Sequence, residues 1–232
     1  MTAKAQLVLI HGLGRSRASM NKIKKYFLAR DFEVFNAGYN GISNDYAQIL
    51  KKLENQLLGW VNPSLPLHFV GHSLGGILIR GLLAAQPQWQ RRDNPGRCVM
   101  LGSPNQGTAT ADFMQSHRWL SYLTPRVGKE LTRDSQLLKS MPEPELQTGI
   151  IAGNVNFSLL IPVSWYYKRA TENAPGDGVV EIERTKIRNM HDFIIMPLHH
   201  SFMTWDSALV SEAELFIQHG RFSDRFRDKP NY

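Results

Sequence analysis

The sequence carries one cysteine, Cys98, in 232 residues. That scarcity excludes an internal disulfide framework and any multi-cysteine zinc site, and it makes a reducing, cytoplasmic setting the expected address. Long hydrophobic runs are missing too. The opening apolar stretch AQLVLI is cut short by His11 and Gly12, too soon for a signal-peptide core or a membrane span, and no later run reaches spanning length. Internal repeats, low-complexity tracts and domain linkers are also lacking. Acidic residues are in the minority, 20 Asp and Glu against 27 Lys and Arg, which leaves a net charge of +7 and a pI near 9.6. The basic residues are dispersed. Their densest clusters, Lys22/Lys24/Lys25 and Arg91/Arg92, are short, and no nucleic-acid motif accompanies them. The excess reads as a solvated basic face, weakly attracted to anionic surfaces over a Debye length of ~8 Å, with nucleic acid excluded as a partner.

What is present is an ordinary globular balance, 42% hydrophobic and 20% charged, in a chain long enough for one core. One domain over residues 1–232 is expected. Apolar runs alternate with amphipathic stretches through the first hundred residues, the pattern that builds βαβ units and a mostly parallel sheet. AQLVLIHG, FEVFNAGYN, LPLHFVGHS and RCVMLGSPN read as the first four strands. Residues 16–30, 44–60 and 74–86 read as the intervening helices, the third ended by Pro87. Residues 106–148 are less regular and read as helices packed over the sheet. TGIIAGN is a fifth strand, DFIIMPL a last one, and residues 206–218 a closing helix. The segment FSLLIPVSWYYKRA between them is apolar and aromatic without clear periodicity. The expected fold is α/β, with about six mostly parallel strands and helices on both faces.

The chemistry concentrates in VGHSLGG, where Gly71, Gly75 and Gly76 crowd a single serine, Ser73. A nucleophilic serine must be held proud of the sheet on a sharp strand-turn-helix elbow, and such a turn leaves no room for side chains beside it. The G-x-S-x-G spacing, with strand before and helix after, provides that room. A plain capping serine behind a glycine loop is the competing reading. Attack on an acyl carbon also needs donors for the oxyanion. The amide of Leu74, at the start of the following helix, is one candidate. HGLGRS at His11–Ser16 offers the other through the Leu13 amide, since neither the P-loop nor the dinucleotide glycine pattern is present there.

Together, LVLIHGLG and HFVGHSLGG resemble the α/β-hydrolase superfamily, in particular its compact lipase and esterase members. LGSPNQGT, GDGVV and HHSFM resemble the segments those proteins carry after the next strand, at the acid loop and at the histidine loop. The likeness spans roughly residues 6–218 and is specific for the fold and the triad, but weak for the substrate. It implies a chain order of serine, acid, histidine. Asp177, between Gly176 and Gly178, suits the acid, with Glu172, Glu181 and Asp192 as weaker alternatives. Of eight histidines, His199 and His200 follow the last strand, and the HHSFM likeness favours His200 as base with His199 a polar neighbour. His11 and His72 are expected to shape the loops; His68, His117, His191 and His219 read as structural or surface residues.

These expectations amount to a serine hydrolase of carboxylic esters, with Ser73, Asp177 and His200 catalytic and Leu13 and Leu74 forming the oxyanion hole. Neither metal nor organic cofactor is called for. The irregular segments at 108–147 and 155–170 are candidates for a lid or pocket cover, and their apolar lining favours an acyl or lipid-like substrate. An acyltransferase or thioesterase would share the acyl-enzyme, and a non-catalytic binding protein of the same fold would be expected to lose a triad member.

Overall fold

The structure, a computed structural model, describes residues 4–85, 95–156, 162–171 and 174–227. The Arg91/Arg92 pair, Glu172 and residues 157–161 of the irregular segment lie outside the described residues. Six strands form one sheet: β1 (Ala5–Ile10), β2 (Phe32–Asn36), β3 (Leu67–His72), β4 (Pro95–Leu101), β5 (Gln147–Gly153) and β6 (Asp192–Met196). Their spatial order is β2-β1-β3-β4-β5-β6 and every pairing is parallel. This is the α/β-hydrolase fold expected from the sequence.

Parallel strands need crossovers that cover both faces, so the inner strands are apolar on both sides. In β1, Leu7 and Leu9 join a core with Ile23 and Phe27 of α1 (Asn21–Leu28). Val8 and Ile10 join the opposite core with Ile49, Leu53 and Leu57 of α2 (Tyr46–Leu58) and the apolar face of α3 (Leu74–Ala84). One polar side chain, Gln6, is fully buried within β1. Its amide donates to Glu33 at 2.8 Å and its oxygen accepts the Asn62 N–H at 2.8 Å, so burial leaves neither end unpaired.

The remaining helices are α4 (Ala109–Ser116), α5 (Arg118–Leu123), α6 (Gln136–Ser140), α7 (Pro162–Ala170), α8 (Ile182–Thr185) and α9 (Ser207–His219). The first core also takes in α9 through Leu209, Val210, Ala213, Phe216 and Ile217. That helix is capped at its start by Asp206, which accepts the Leu209 N–H at 2.8 Å, and stopped by Gly220 at φ 74°.

Local boundaries depart from the sequence reading in three places. The helix expected over 16–30 opens as a 3-10 turn, Arg17–Met20, whose N–H at Ala18 bonds to the Ser16 hydroxyl before α1 begins. The second strand ends at Asn36, with one further bond to β1 from the Ala37 N–H to the Leu9 carbonyl. The segment without periodicity contains α7, whose Tyr167 is fully buried with its hydroxyl donating to the Ala174 carbonyl at 2.8 Å.

Two consequences place the site. All strands run the same way, so the segments after β1, β3, β4, β5 and β6 emerge at one edge. The order also reverses direction between β1 and β3, and in open α/β sheets the crevice at such a reversal is where ligands bind.

Candidate active site

Ser73 follows β3 at that reversal with φ 54° and ψ −122°. A non-glycine residue enters such backbone space at a cost of about 1–3 kcal/mol and stays there only when its surroundings force it. Here the forcing is visible. The Ser73 N–H is held by the Leu101 carbonyl at 2.8 Å, and its own carbonyl accepts the Gly76 N–H at 3.0 Å. A Cβ at Gly71 would come within 2.6 Å of the Gly75 carbonyl carbon, and one at Gly75 would overlap the Ile10 carbonyl oxygen. The two glycines of the G-x-S-x-G spacing therefore let α3 start against the ends of β3 and β1. Ser73 does not cap that helix with its side chain, which removes the competing reading of the motif.

Asp177 and His200 lie on the loops that follow β5 and β6. The His200 Nδ1–H donates to Asp177 Oδ2 at 2.7 Å, and the pair is buried. Asp177 Oδ1 accepts the N–H groups of Val179 and Val180 at 3.1 and 2.8 Å. The backbone is tied as well, since the His200 N–H donates to the Asp177 carbonyl at 2.8 Å. A carboxylate accepting three hydrogen bonds has its rotamer set and its charge satisfied. It holds the imidazole with the proton on Nδ1, so Nε2 keeps its lone pair.

The other acid candidates are engaged elsewhere. Glu181 accepts the Ala109 N–H and the Thr108 hydroxyl at 3.0 and 2.9 Å, at the start of α4. Asp192 lies at the opposite end of β6, bonded to Phe222 N–H and paired with Arg227 at 2.8 Å. His199 accepts the Ser201 N–H on Nδ1 at 3.2 Å and caps the 3-10 turn that carries His200. Burial lowers its pKa below the ordinary histidine value.

His72 and His11 shape the loops, as expected. The His72 Nε2–H donates to the His200 carbonyl at 3.0 Å, so this ring supports the backbone that carries His200. Burial, with the nearby His200 adding to it, pushes its pKa well below the ordinary value. His11 stacks on Tyr39 with centroids 4.2 Å apart, and the Tyr39 hydroxyl donates to the His11 carbonyl at 2.7 Å. These contacts fix the HGLG loop against the elbow, where a Cβ on Gly12 would lie 3.0 Å from Ser73 Cβ. The amides of Leu13 and Leu74 have no backbone acceptor among the described residues.

Ser73, His72 and His200 line one cavity of about 400 Å³ together with Leu13, Arg15 and Ser201. Its apolar lining comes from α4 and the turn after α5, through Ala111, Met114, Pro125 and Leu131, and from Val179 and Val180 beside Asp177. Residues 108–131 of the first cover segment thus supply a cavity wall. The described part of the second packs behind α4, with Tyr166 against Phe113 at 5.6 Å.

Two residues beside the candidate site escaped the sequence reading. Gly102, at φ 55°, lets the chain leaving β4 pass beside Asp177 and His200, since a Cβ there would approach Asp177 Oδ2 to 2.7 Å. Its signal was the glycine of LGSPN directly after a strand. Arg15, next to the second glycine of HGLG, lines the cavity and donates to the Ser201 carbonyl at 3.3 Å, with no carboxylate in ion-pair range among the described residues.

A family model described as "Domain of unknown function (DUF7379)" matches residues 1–155. No curated protein matches the sequence. Solved structures resemble it at low identity. The mature form of the lipase BlEst2 from Bacillus licheniformis is 17% identical with a TM-score of 0.67, covering 86% of each chain. The esterase EaEST from Exiguobacterium antarcticum is 12% identical with a TM-score of 0.63 over 94% of this chain and 93% of that one. The metagenomic carboxyl esterase MGS0156 is 14% identical with a TM-score of 0.64 over 86% of this chain and 65% of its own. The chain belongs to the family described as "Domain of unknown function (DUF7379)", and its architecture is the α/β-hydrolase fold.

Proposed function

We propose that this protein is a serine hydrolase of carboxylic esters that works through an acyl-enzyme on Ser73. The observation that carries the reading is the sharing of one cavity between a backbone-strained serine and an imidazole whose Nδ1–H is held by a buried carboxylate. His200 Nε2 takes the proton from Ser73 Oγ as that oxygen bonds to the ester carbonyl carbon. The carbonyl electron pair moves onto oxygen, where the Leu13 and Leu74 amides receive it. Collapse breaks the bond to the alcohol oxygen, which takes the proton from His200. Water then repeats the sequence, its proton going to His200 and returning to Ser73 as the acid departs. Asp177 keeps the imidazole in the competent tautomer and stabilises its cationic form. No metal or organic cofactor enters these steps.

The apolar wall formed by Met114, Leu131, Val179 and Val180 suits an acyl chain. Arg15 at the polar side of the cavity suits an ester with a negative charge near the scissile bond, because its other donors have no acceptor among the described residues. The lipase and esterase activities of the structural neighbours agree with this chemistry.

A fluorophosphonate probe with peptide mapping tests the proposal before any substrate is known. Ser73 should be labelled, and Ser73→Ala should abolish labelling together with hydrolysis of p-nitrophenyl butyrate, a loss on the order of 10⁶ in kcat for a triad acting as a unit. Labelling that survives Ser73→Ala, or a folded wild-type protein that does not react, overturns it.

A further inference from the structure

A second cavity, of about 500 Å³, opens beside α3 and shares no lining residue with the first. Six cations line it: Arg80, Arg133, Lys139, Arg184, Lys186 and Arg188, with Glu143 as the carboxylate in the lining. They come from α3, the turn before α6, α6 itself, α8 and the loop leading into β6. Sequence gives no hint of the cluster, because those positions are spread over more than a hundred residues.

Arg80 is the unusual member. It lies about two turns along α3 from Ser73 and is only 3% exposed. Its Nη1 donates to the backbone and side-chain oxygens of Asn105 at 3.1 and 3.2 Å, and its Nη2 donates to the Met141 carbonyl at 3.1 Å. All of these acceptors are neutral. Nε is buried with no partner, and no carboxylate comes within ion-pair range among the described residues. Burying a charge without a counter-charge is costly, and burial accordingly works against the Arg80 charge, with Glu143 opposing that effect from a distance.

Four of the other cations have partners outside the lining. Arg133 pairs with Asp112, Lys139 with Asp134 at 3.0 Å, Lys186 with Glu183 at 2.7 Å, and Arg184 reaches Glu181 at 3.8 Å. The side chains of Asp134 and Glu183 are 98% and 78% exposed. Such exposed pairs are weak in water, so they yield to a stronger anion. Arg188 is exposed and has no ion pair among the described residues.

We propose that this cavity binds a small phosphate-class polyanion, which supplies the counter-charge that Arg80 lacks. Phosphate oxygens match the forked donors of several arginines at once, a match that a single carboxylate cannot give. The cavity volume falls in the range of small-molecule sites. The phosphate comes either from a soluble phosphorylated compound or from a lipid headgroup, and both sources present the same oxygens. The proposal is independent of the ester-hydrolase reading.

Isothermal titration at matched ionic strength tests it, using inorganic pyrophosphate in one arm and neutral lecithin vesicles containing phosphatidic acid in the other. Saturable binding of one pyrophosphate per chain is expected for a soluble ligand, and binding confined to the vesicles identifies a headgroup. In either arm Lys139→Gln/Arg188→Gln, two surface changes that leave the core untouched, should weaken binding at least tenfold. A charge-matched control, Lys25→Gln/Lys51→Gln, should not. Absence of saturable binding in both arms, or equal losses in the two double variants, overturns the proposal.

Discussion

Asp177→Asn isolates the carboxylate with almost no change in shape. In the wild type, Oδ1 accepts the Val179 and Val180 N–H groups while Oδ2 accepts the His200 Nδ1–H at 2.7 Å. The asparagine oxygen must stay with the two backbone donors, since turning it would set an amide NH₂ against two N–H groups. Its NH₂ then faces His200 Nδ1, and two donors cannot share that contact. The imidazole moves its proton to Nε2, the nitrogen that has to accept from Ser73. A base in the wrong tautomer loses about 10⁴ in kcat in serine hydrolases, equivalent to about 5 kcal/mol of transition-state stabilisation. Folding should lose less, about 1–3 kcal/mol, for exchanging charge-assisted hydrogen bonds for neutral ones. Turnover of p-nitrophenyl butyrate, measured beside a thermal melt, checks both parts. A folded variant that keeps more than a tenth of the wild-type kcat refutes the role given to Asp177.

Gly75→Ala places a methyl group on the Ile10 carbonyl oxygen, so stability should fall by about 3 kcal/mol and the melting temperature with it; an unchanged melt would contradict the packing of the elbow. Acid sensitivity offers a separate check through His68, which is 7% exposed and whose pKa burial lowers from 6.5 to about 4. Between those values the unfolded chain binds a proton at this site that the native protein refuses, so unfolding free energy decreases as pH falls, by about 3 kcal/mol from this residue. His68→Gln should shrink the difference in urea stability between pH 7 and pH 4.5 by about 2.5 kcal/mol, the share of that effect falling in this window, and an identical difference in the variant would show that His68 is not the source.

Much of the fold was legible because each strand that matters is a short apolar run bounded by glycine or proline, as in AQLVLIHG and LPLHFVGHS. Those runs carry their burial in their composition. The elbow was legible for a related reason, since only glycine tolerates the approach of α3 to β1 and β3 that Gly71 and Gly75 allow. Helix starts were less so: the 3-10 turn before α1 follows from a local bond between Ser16 and Ala18 that periodicity does not register. The helix α7 was hidden in a run of apolar and aromatic residues, and only the fold shows that Tyr167 turns inward there.

The sequence by itself determined the alternation of strand and helix and the identity of the crowded serine, because local sterics and hydrophobic spacing act over a few residues. Choosing Asp177 over Glu181 and His200 over His199 was different. Each rival has the same chemistry and lies within a few residues on the same loop, and what separates them is the hydrogen bonds the folded chain gives each: Asp177 pairs with His200, while Glu181 meets the start of α4 and His199 caps its own turn. The same is true of Arg80 and its cationic neighbours, which share a cavity only because crossovers carry distant segments past α3. Contacts between residues far apart in the chain depend on how the layers stack, and that information is distributed over the whole core.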